Sequence, residues 1–136
     1  MAADPRSCSA VIALDTHVVL WWTLSPAFLS RRAAAAIGAA DRLGVPAIVF
    51  WEVALLSRKG KVNLGTTVED WTGSVLALPR IEPLSLTAGI ALAADSLAMH
   101  PDPADRFIVA TALEHGVALV TADRQITKAK LVRTVW

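Results

Sequence analysis

The stretch "VIALDTHVVLWW", residues 11–22, places a carboxylate inside an apolar segment. Residues 11–14 are all apolar and predict a buried strand, whereas the apolar run after His17 predicts a helix. Asp15 lies between these two elements. An ionised carboxylate is costly to bury unless another group compensates its charge. The rest of the chain is therefore expected to provide a partner for Asp15.

Apolar strands alternate with helices along the rest of the chain. Ser30 is expected to cap the start of the alanine-rich helix at 31–42, and Gly44 is expected to end the turn that follows this helix. Strands are predicted at 9–14, 44–48, 80–84, 116–121 and 130–136. Helices are predicted at 17–24, 31–42, 49–59, 67–78, 86–99 and 103–115. This alternation predicts an α/β domain whose mainly parallel sheet is covered on both faces.

Length and composition indicate one folded domain. The chain has 136 residues, of which 54% are hydrophobic, so a packed core is expected over 1–136, with residues 1–8 as a short flexible tail. Its apolar runs are shorter than the ~18 residues that span a bilayer, and "MAADPRSCSA" does not resemble a signal peptide. A soluble cytoplasmic protein is expected, without an internal disulfide because Cys8 is the only cysteine.

Acidic residues follow the predicted strands or lie in apolar surroundings. Asp15 and Asp123 come directly after strands, where open α/β sheets bind their ligands. Glu52 has apolar residues on both sides, while Asp102 and Asp105 begin the helix at 103–115. Helix capping is an open alternative for each acid taken singly, and it explains Asp102 well.

Taken together, these acids favour a cation site. Two carboxylates ~4 Å apart repel each other by about 4 kcal/mol at an effective dielectric constant of 20. Mg²⁺ and Mn²⁺ prefer oxygen ligands and would remove this repulsion. A bound cation of this kind can hold a phosphate oxygen and activate a water. The pattern therefore predicts metal-assisted hydrolysis of phosphodiester bonds.

Other chemistries find less support in the sequence. Serine-hydrolase, P-loop, dinucleotide-binding and zinc motifs are absent from the chain. A phosphatase of the haloacid-dehalogenase type would begin with a similar aspartate but needs a second one two residues later, where this chain has His17. Two roles stay open for His17, which follows Asp15 by two residues: contact with a substrate, or local packing.

Four ordered motifs carry a family resemblance: "LDTHVVLWW" at 14–22, "FWEVALLSRKGK" at 50–61, "HPDPADRFIVATA" at 100–112 and "LVTAD" at 119–123. They resemble the PIN-domain ribonucleases, specifically the VapC toxins of toxin–antitoxin modules, over about residues 10–135. The resemblance implies a PIN-like three-layer α/β/α sandwich with a central, mainly parallel sheet of about five strands.

The resemblance also implies roles for individual residues. The catalytic and metal-binding positions, for Mg²⁺ or Mn²⁺, are Asp15, Glu52, Asp105 and Asp123. Residues that support these ligands or add to them are Asp102, Thr16 and Thr121. The remaining candidates are predicted from charge and sequence position and not from the resemblance, with solvated surface as the alternative for the basic clusters. These predicted substrate contacts are His17, Arg106, Arg58, Lys59, Lys61 and Arg124. Arg106 has an alternative role, in which it neutralises the acids when no metal is bound.

The implied partners are RNA as the substrate and a VapB-type antitoxin whose C-terminal segment covers the groove and acidic pocket of the toxin. A homodimer, joined into larger assemblies that contact DNA only through the antitoxin, is also implied. The net charge of +1 is compatible with DNA being bound by the antitoxin and not by this chain. No membrane partner is expected. The alternatives left open are a haloacid-dehalogenase-like phosphatase and a catalytically silent PIN-like interaction module.

Overall fold

A computed structural model describes residues 10–136 and contains a five-stranded parallel sheet. The strands are ordered β3-β2-β1-β4-β5, and every neighbouring pair is parallel. Their bounds are β1 Val11–Leu14, β2 Arg42–Pro46, β3 Ile81–Leu84, β4 Ala118–Val120 and β5 Thr134–Val135. The predicted three-layer α/β/α class is confirmed, whereas the predicted tail at 1–8, with Cys8, lies outside the described residues.

Seven α-helices and one 3₁₀ turn, Pro26–Phe28, connect the strands within residues 10–136. The helices are α1 Thr16–Leu24, α2 Arg31–Ala39, α3 Ala47–Arg58, α4 Val68–Leu76, α5 Ala88–Asp95, α6 Pro103–His115 and α7 Arg124–Ala129. In this described part of the chain, each helix is too short or too polar to cross a bilayer.

The start of β2 differs from the prediction. Helix α2 ends at Ala39, and β2 already begins at Arg42, so residues 47 and 48 belong to α3. Gly44 is a central residue of β2 and does not end a turn. A Cβ at Gly44 would lie 2.7 Å from Cδ1 of Leu84 on the neighbouring strand β3. The absence of a side chain therefore lets these two strands pack closely, and the turn predicted from this glycine is wrong.

The centre of the sheet brings the ends of two distant chain segments together. Leu14 of β1 pairs with Val120 of β4, so the residues that follow these strands are neighbours. Leu14 and Leu119 are completely buried, as is Ile108 of α6. The apolar core thus fixes the strand ends from which Asp15 and the segment 121–123 extend.

Candidate functional site

The carboxyl edge of the sheet carries an acidic cavity of about 390 Å³. All four acids predicted as metal ligands line it, together with Asp102. The complete lining is Asp15, His17, Trp21, Glu52, Asp102, Asp105, Ala122 and Asp123. The parallel strand order therefore brings together side chains that are far apart in the sequence. We call this space the acidic cavity.

Asp15 is held firmly at the bottom of the acidic cavity, with a residue exposure of only 7%. Its Oδ1 accepts a hydrogen bond from the backbone N–H of Thr16 at 2.8 Å, which caps α1. Its Oδ2 accepts one from the hydroxyl of Thr121 at 2.5 Å. Burial raises the pKa of Asp15 above its ordinary value, although the hydrogen bond from Thr121 opposes this shift.

Glu52 extends from α3 toward the same cavity. Its carboxylate accepts a hydrogen bond from the hydroxyl of Thr16, the first residue of α1. Partial burial raises the pKa of Glu52, and the nearby charge of Asp15 raises it further. The two threonines that the resemblance placed near the metal thus each donate to a different carboxylate of the site.

Asp105 lies in the first turn of α6, whose N-cap is Asp102. The Asp102 side chain accepts a hydrogen bond from the backbone N–H of Asp105 at 3.1 Å, so its capping role is real. Burial raises the pKa of Asp105 to about 6. The hydrogen bond with His100 lowers this pKa, whereas the charges of Asp15, Asp102 and Asp123 raise it.

Asp123 is also a helix cap. Its Oδ1 accepts hydrogen bonds from the backbone N–H groups of Gln125 and Ile126 at 2.8 and 3.0 Å, at the start of α7. Its own backbone N–H donates to the hydroxyl of Thr121 at 3.0 Å. Thr121 therefore connects Asp15 with Asp123, and capping and metal binding are compatible roles for the same carboxylate.

The donor set fits a divalent cation. One potential ligand atom from each of His100, Asp105 and Asp123 lies within 4.8 Å of the other two. Three carboxyl groups of the site have raised pKa values, since their charges are crowded and partly removed from water. Among the described residues that line the cavity, none is a lysine or arginine. Oxygen-rich sites of this type suit Mg²⁺ or Mn²⁺.

The predicted substrate contacts are spread over a wider surface. His17 lines the acidic cavity, and its ring centroid lies 5.7 Å from that of Trp21. Both rings also line an adjoining groove of about 630 Å³, which Lys61 borders. Three other predicted contacts are exposed and line neither space: Arg58, Lys59 and Arg124.

Arg106 is directed elsewhere, contrary to both of its expected roles. Its guanidinium donates hydrogen bonds to backbone carbonyl oxygens, the shortest being 2.7 Å to Met99 and the longest 3.4 Å to Asp95. The other acceptors are the carbonyl oxygens of Ala94, Leu97 and His100. Because the guanidinium is engaged in this way, Arg106 organises the segment before α6 and does not line the acidic cavity.

His100 is the site residue that the sequence reasoning missed. Its Nε2 lies 2.7 Å from Oδ2 of Asp105, and both side chains are 15% exposed. The sequence feature that could have identified it is its position in "HPDPADR", five residues before Asp105. Periodicity predicts no site role for His100, because it does not reveal the irregular path from residue 96 to 102.

Comparisons with known proteins agree with this architecture. The PIN domain model matches residues 12–131. Ribonuclease VapC22 of Mycobacterium tuberculosis is 38% identical over 129 residues, which cover 92% of this chain and 98% of that protein.

Solved structures are similar in fold. VapBC2 from Rickettsia felis, bound to a DNA fragment from its promoter, has a TM-score of 0.67 and 13% identity, covering 91% of this chain and 96% of that one. VapBC-1 from nontypeable Haemophilus influenzae has a TM-score of 0.66 and 17% identity, with the same shares covered. The family match and the curated relative both extend over most of the described fold, and the chain belongs to the PIN-domain family, within its VapC branch.

Proposed function

We propose that this chain is a Mg²⁺- or Mn²⁺-dependent endoribonuclease that acts as the toxin of a VapBC-type toxin–antitoxin module. The observation that carries the proposal is the convergence of Asp15, Glu52, Asp105 and Asp123 on one cavity. The curated relative from Mycobacterium tuberculosis, which is named a ribonuclease, supports the substrate class. The solved VapBC relatives support the assignment to a toxin–antitoxin module.

The chain's own residues prepare the acidic cavity for a phosphodiester. A divalent cation, when bound, supplies positive charge for a phosphate oxygen and lowers the pKa of a water. Thr121 and Thr16 hold the carboxylates of Asp15 and Glu52 in place through their hydroxyl groups. Preorganised ligands of this kind need little rearrangement when charge develops during the reaction. A carboxylate of the cavity would accept the proton of the attacking water.

RNA would reach the acidic cavity across its basic surroundings. His17 lies at the cavity itself, and Lys61 borders the adjoining groove. Arg58 and Lys59 closely follow Glu52 in the sequence, and Arg124 directly follows Asp123. All three side chains are exposed. Exposed cations attract the phosphate backbone without reading its sequence. We therefore assign these residues to guiding RNA, with the choice of target left to RNA shape.

The adjoining groove supports inhibition by an antitoxin. Apolar side chains dominate its lining, which includes Phe28 with an exposure of 66%. Apolar grooves of this kind receive the apolar face of a partner helix. The groove shares His17 and Trp21 with the acidic cavity, so a segment bound there would also cover the carboxylates. A VapB-type antitoxin, a toxin homodimer and DNA contact through the antitoxin are parts of this proposal.

The cleavage test uses purified chain free of any antitoxin, incubated with cellular RNA and Mg²⁺ or Mn²⁺. We expect cleavage that is lost on chelation and lost in Asp15→Asn, while Asp70→Asn, an exposed acid of α4, retains it. Mapped ends should carry a 5′-phosphate on one fragment and a 3′-hydroxyl on the other. A folded wild-type protein that binds the antitoxin but never cuts RNA would instead support the silent interaction module.

A further inference from the structure

The contact between His100 and Asp105 has no assigned part in the proposed reaction. Nε2 of His100 lies at hydrogen-bond distance, 2.7 Å, from Oδ2 of Asp105. An ionised carboxylate only accepts hydrogen bonds, so Nε2 must carry the hydrogen in this contact. The bond therefore occupies one oxygen of Asp105 and leaves Oδ1 to bind a cation.

The other ring nitrogen indicates which form of His100 is present. Nδ1 is buried and has no hydrogen-bond partner among the described residues. A buried N–H without an acceptor is costly. With its hydrogen placed on Nε2, the ring leaves Nδ1 without a hydrogen and avoids this cost. Burial and the contact with Asp105 thus favour the same tautomer.

The main chain around His100 is held by Arg106. Residues 96–102 form neither helix nor strand, so repetitive backbone hydrogen bonds do not fix this segment. Arg106 donates from Nε to the carbonyl oxygen of His100 at 3.1 Å and from an amino group to that of Met99 at 2.7 Å. It also reaches Ala94, near the end of α5, at 3.0 Å. The guanidinium of Arg106 thereby links the segment 96–102 to both α5 and α6.

We propose that His100 is a positioning residue of the metal centre, which orients Asp105 by donating a hydrogen bond to its Oδ2. This inference rests on the proposed metal-dependent activity. Arg106, the next residue after Asp105 on α6, maintains the segment that presents His100. Histidine–carboxylate contacts that orient a metal ligand typically change metal affinity or activity 10–100-fold when they are removed.

The test measures Mn²⁺ binding to the RNA-free protein by electron paramagnetic resonance of the free ion. His100→Ala should weaken Mn²⁺ binding on the order of 10–100-fold. His100→Gln should restore it in large part, because the amide nitrogen of glutamine can take the place of Nε2. His115→Ala, which removes an exposed histidine at the end of α6, should bind like the wild type.

Two further comparisons make the test decisive. If His100→Ala does not fold, His100→Asn replaces it, since its amide is one methylene too short to reach Asp105. The Mn²⁺ concentration for half-maximal RNA cleavage should rise by the same factor as the dissociation constant. Equal Mn²⁺ binding by wild type and the variants, or a folded His100→Gln without rescue, would overturn this inference alone. Wild-type protein that binds no Mn²⁺ would overturn both this inference and the proposed metal dependence.

Discussion

Thr121 connects the carboxylate of Asp15 with the backbone of Asp123 through one hydroxyl group. It donates to Asp15 and accepts from the backbone N–H of Asp123, and it is completely buried. A valine at this position would have nearly the same shape but could make neither hydrogen bond. A change from threonine to valine at position 121 would therefore remove both hydrogen bonds and preserve the packing of the side chain in the core.

Thr121→Val should weaken divalent-metal binding and RNA cleavage, whereas Thr121→Ser should retain both. Without the hydroxyl, the pKa of Asp15 should rise further, because the hydrogen bond from Thr121 lowers it. The acidic limb of the cleavage pH profile should consequently move to higher pH in Thr121→Val. A profile identical to that of the wild type would show that the hydroxyl does not act on Asp15.

Asp105 should make the metal-free protein less stable as the pH rises. Its pKa is about 6 in the folded protein, against 3.8 ordinarily, so the folded state binds more protons between these values. The stabilising effect of its protonation is complete below pH 3.8 and is lost as the pH rises through about 6. Thermal unfolding in chelator should show this decline relative to Asp105→Asn, in which residue 105 does not titrate.

A saturating divalent cation at neutral pH should reverse that loss. The cation compensates the carboxylate charges and stabilises the folded state by binding to it preferentially. Wild-type protein should therefore gain thermal stability from Mn²⁺ at pH 7, while Asp105→Asn should gain much less. An equal gain in both proteins would place the stabilising ion outside the acidic cavity.

At the scale of single elements, the sequence predicted most strands and helices but misplaced the region from α2 to α3. Alanine continues a helical pattern beyond its actual end, and Gly44 resembles a stop signal although it belongs to β2. Its true constraint is the approach of Leu84, which comes from a strand 40 residues later in the sequence. Such a contact depends on tertiary packing and leaves no local pattern.

Two glycine substitutions should have opposite effects on stability. Gly44→Ala would place a Cβ 2.7 Å from Leu84, so we expect a destabilisation of about 1–3 kcal/mol. Gly38→Ala lies in α2 with no atom within 4 Å of the new Cβ, and it should stabilise the helix by about 0.5–1 kcal/mol. Urea denaturation measures both changes, and a neutral Gly44→Ala would contradict the close packing of β2 against β3.

Helix α6 depends on Arg106 to hold the segment before it. Arg106→Ala should destabilise the protein by about 1.5–3 kcal/mol, the range for hydrogen bonds to charged groups. Arg106→Lys should recover only part of this loss, because an ammonium group cannot reach the separate carbonyl oxygens with a planar fork. Urea denaturation of the two variants tests this order. The sequence could not predict this role, since every acceptor is a backbone carbonyl.

At the scale of the whole molecule, the parallel sheet determines where the acids meet. The rule that ligands bind at the carboxyl ends of strands was sufficient to predict Asp15 and Asp123 as neighbours. Glu52 and Asp105 come from helices, so this rule does not place them. The grouping of acids predicted a shared cation site, and the family resemblance assigned these two residues to it. His100 and the true direction of Arg106 required the three-dimensional path of residues 96–102.

We propose that the acidic cavity binds the catalytic divalent cation. Crystals of the chain soaked in Mn²⁺ provide the most direct test, through the anomalous scattering of the metal. We expect an anomalous peak among the carboxylates of Asp15, Asp105 and Asp123, and the loss of this peak in Asp15→Asn crystals. Mn²⁺ bound only outside the acidic cavity, at a concentration that supports RNA cleavage, would contradict it.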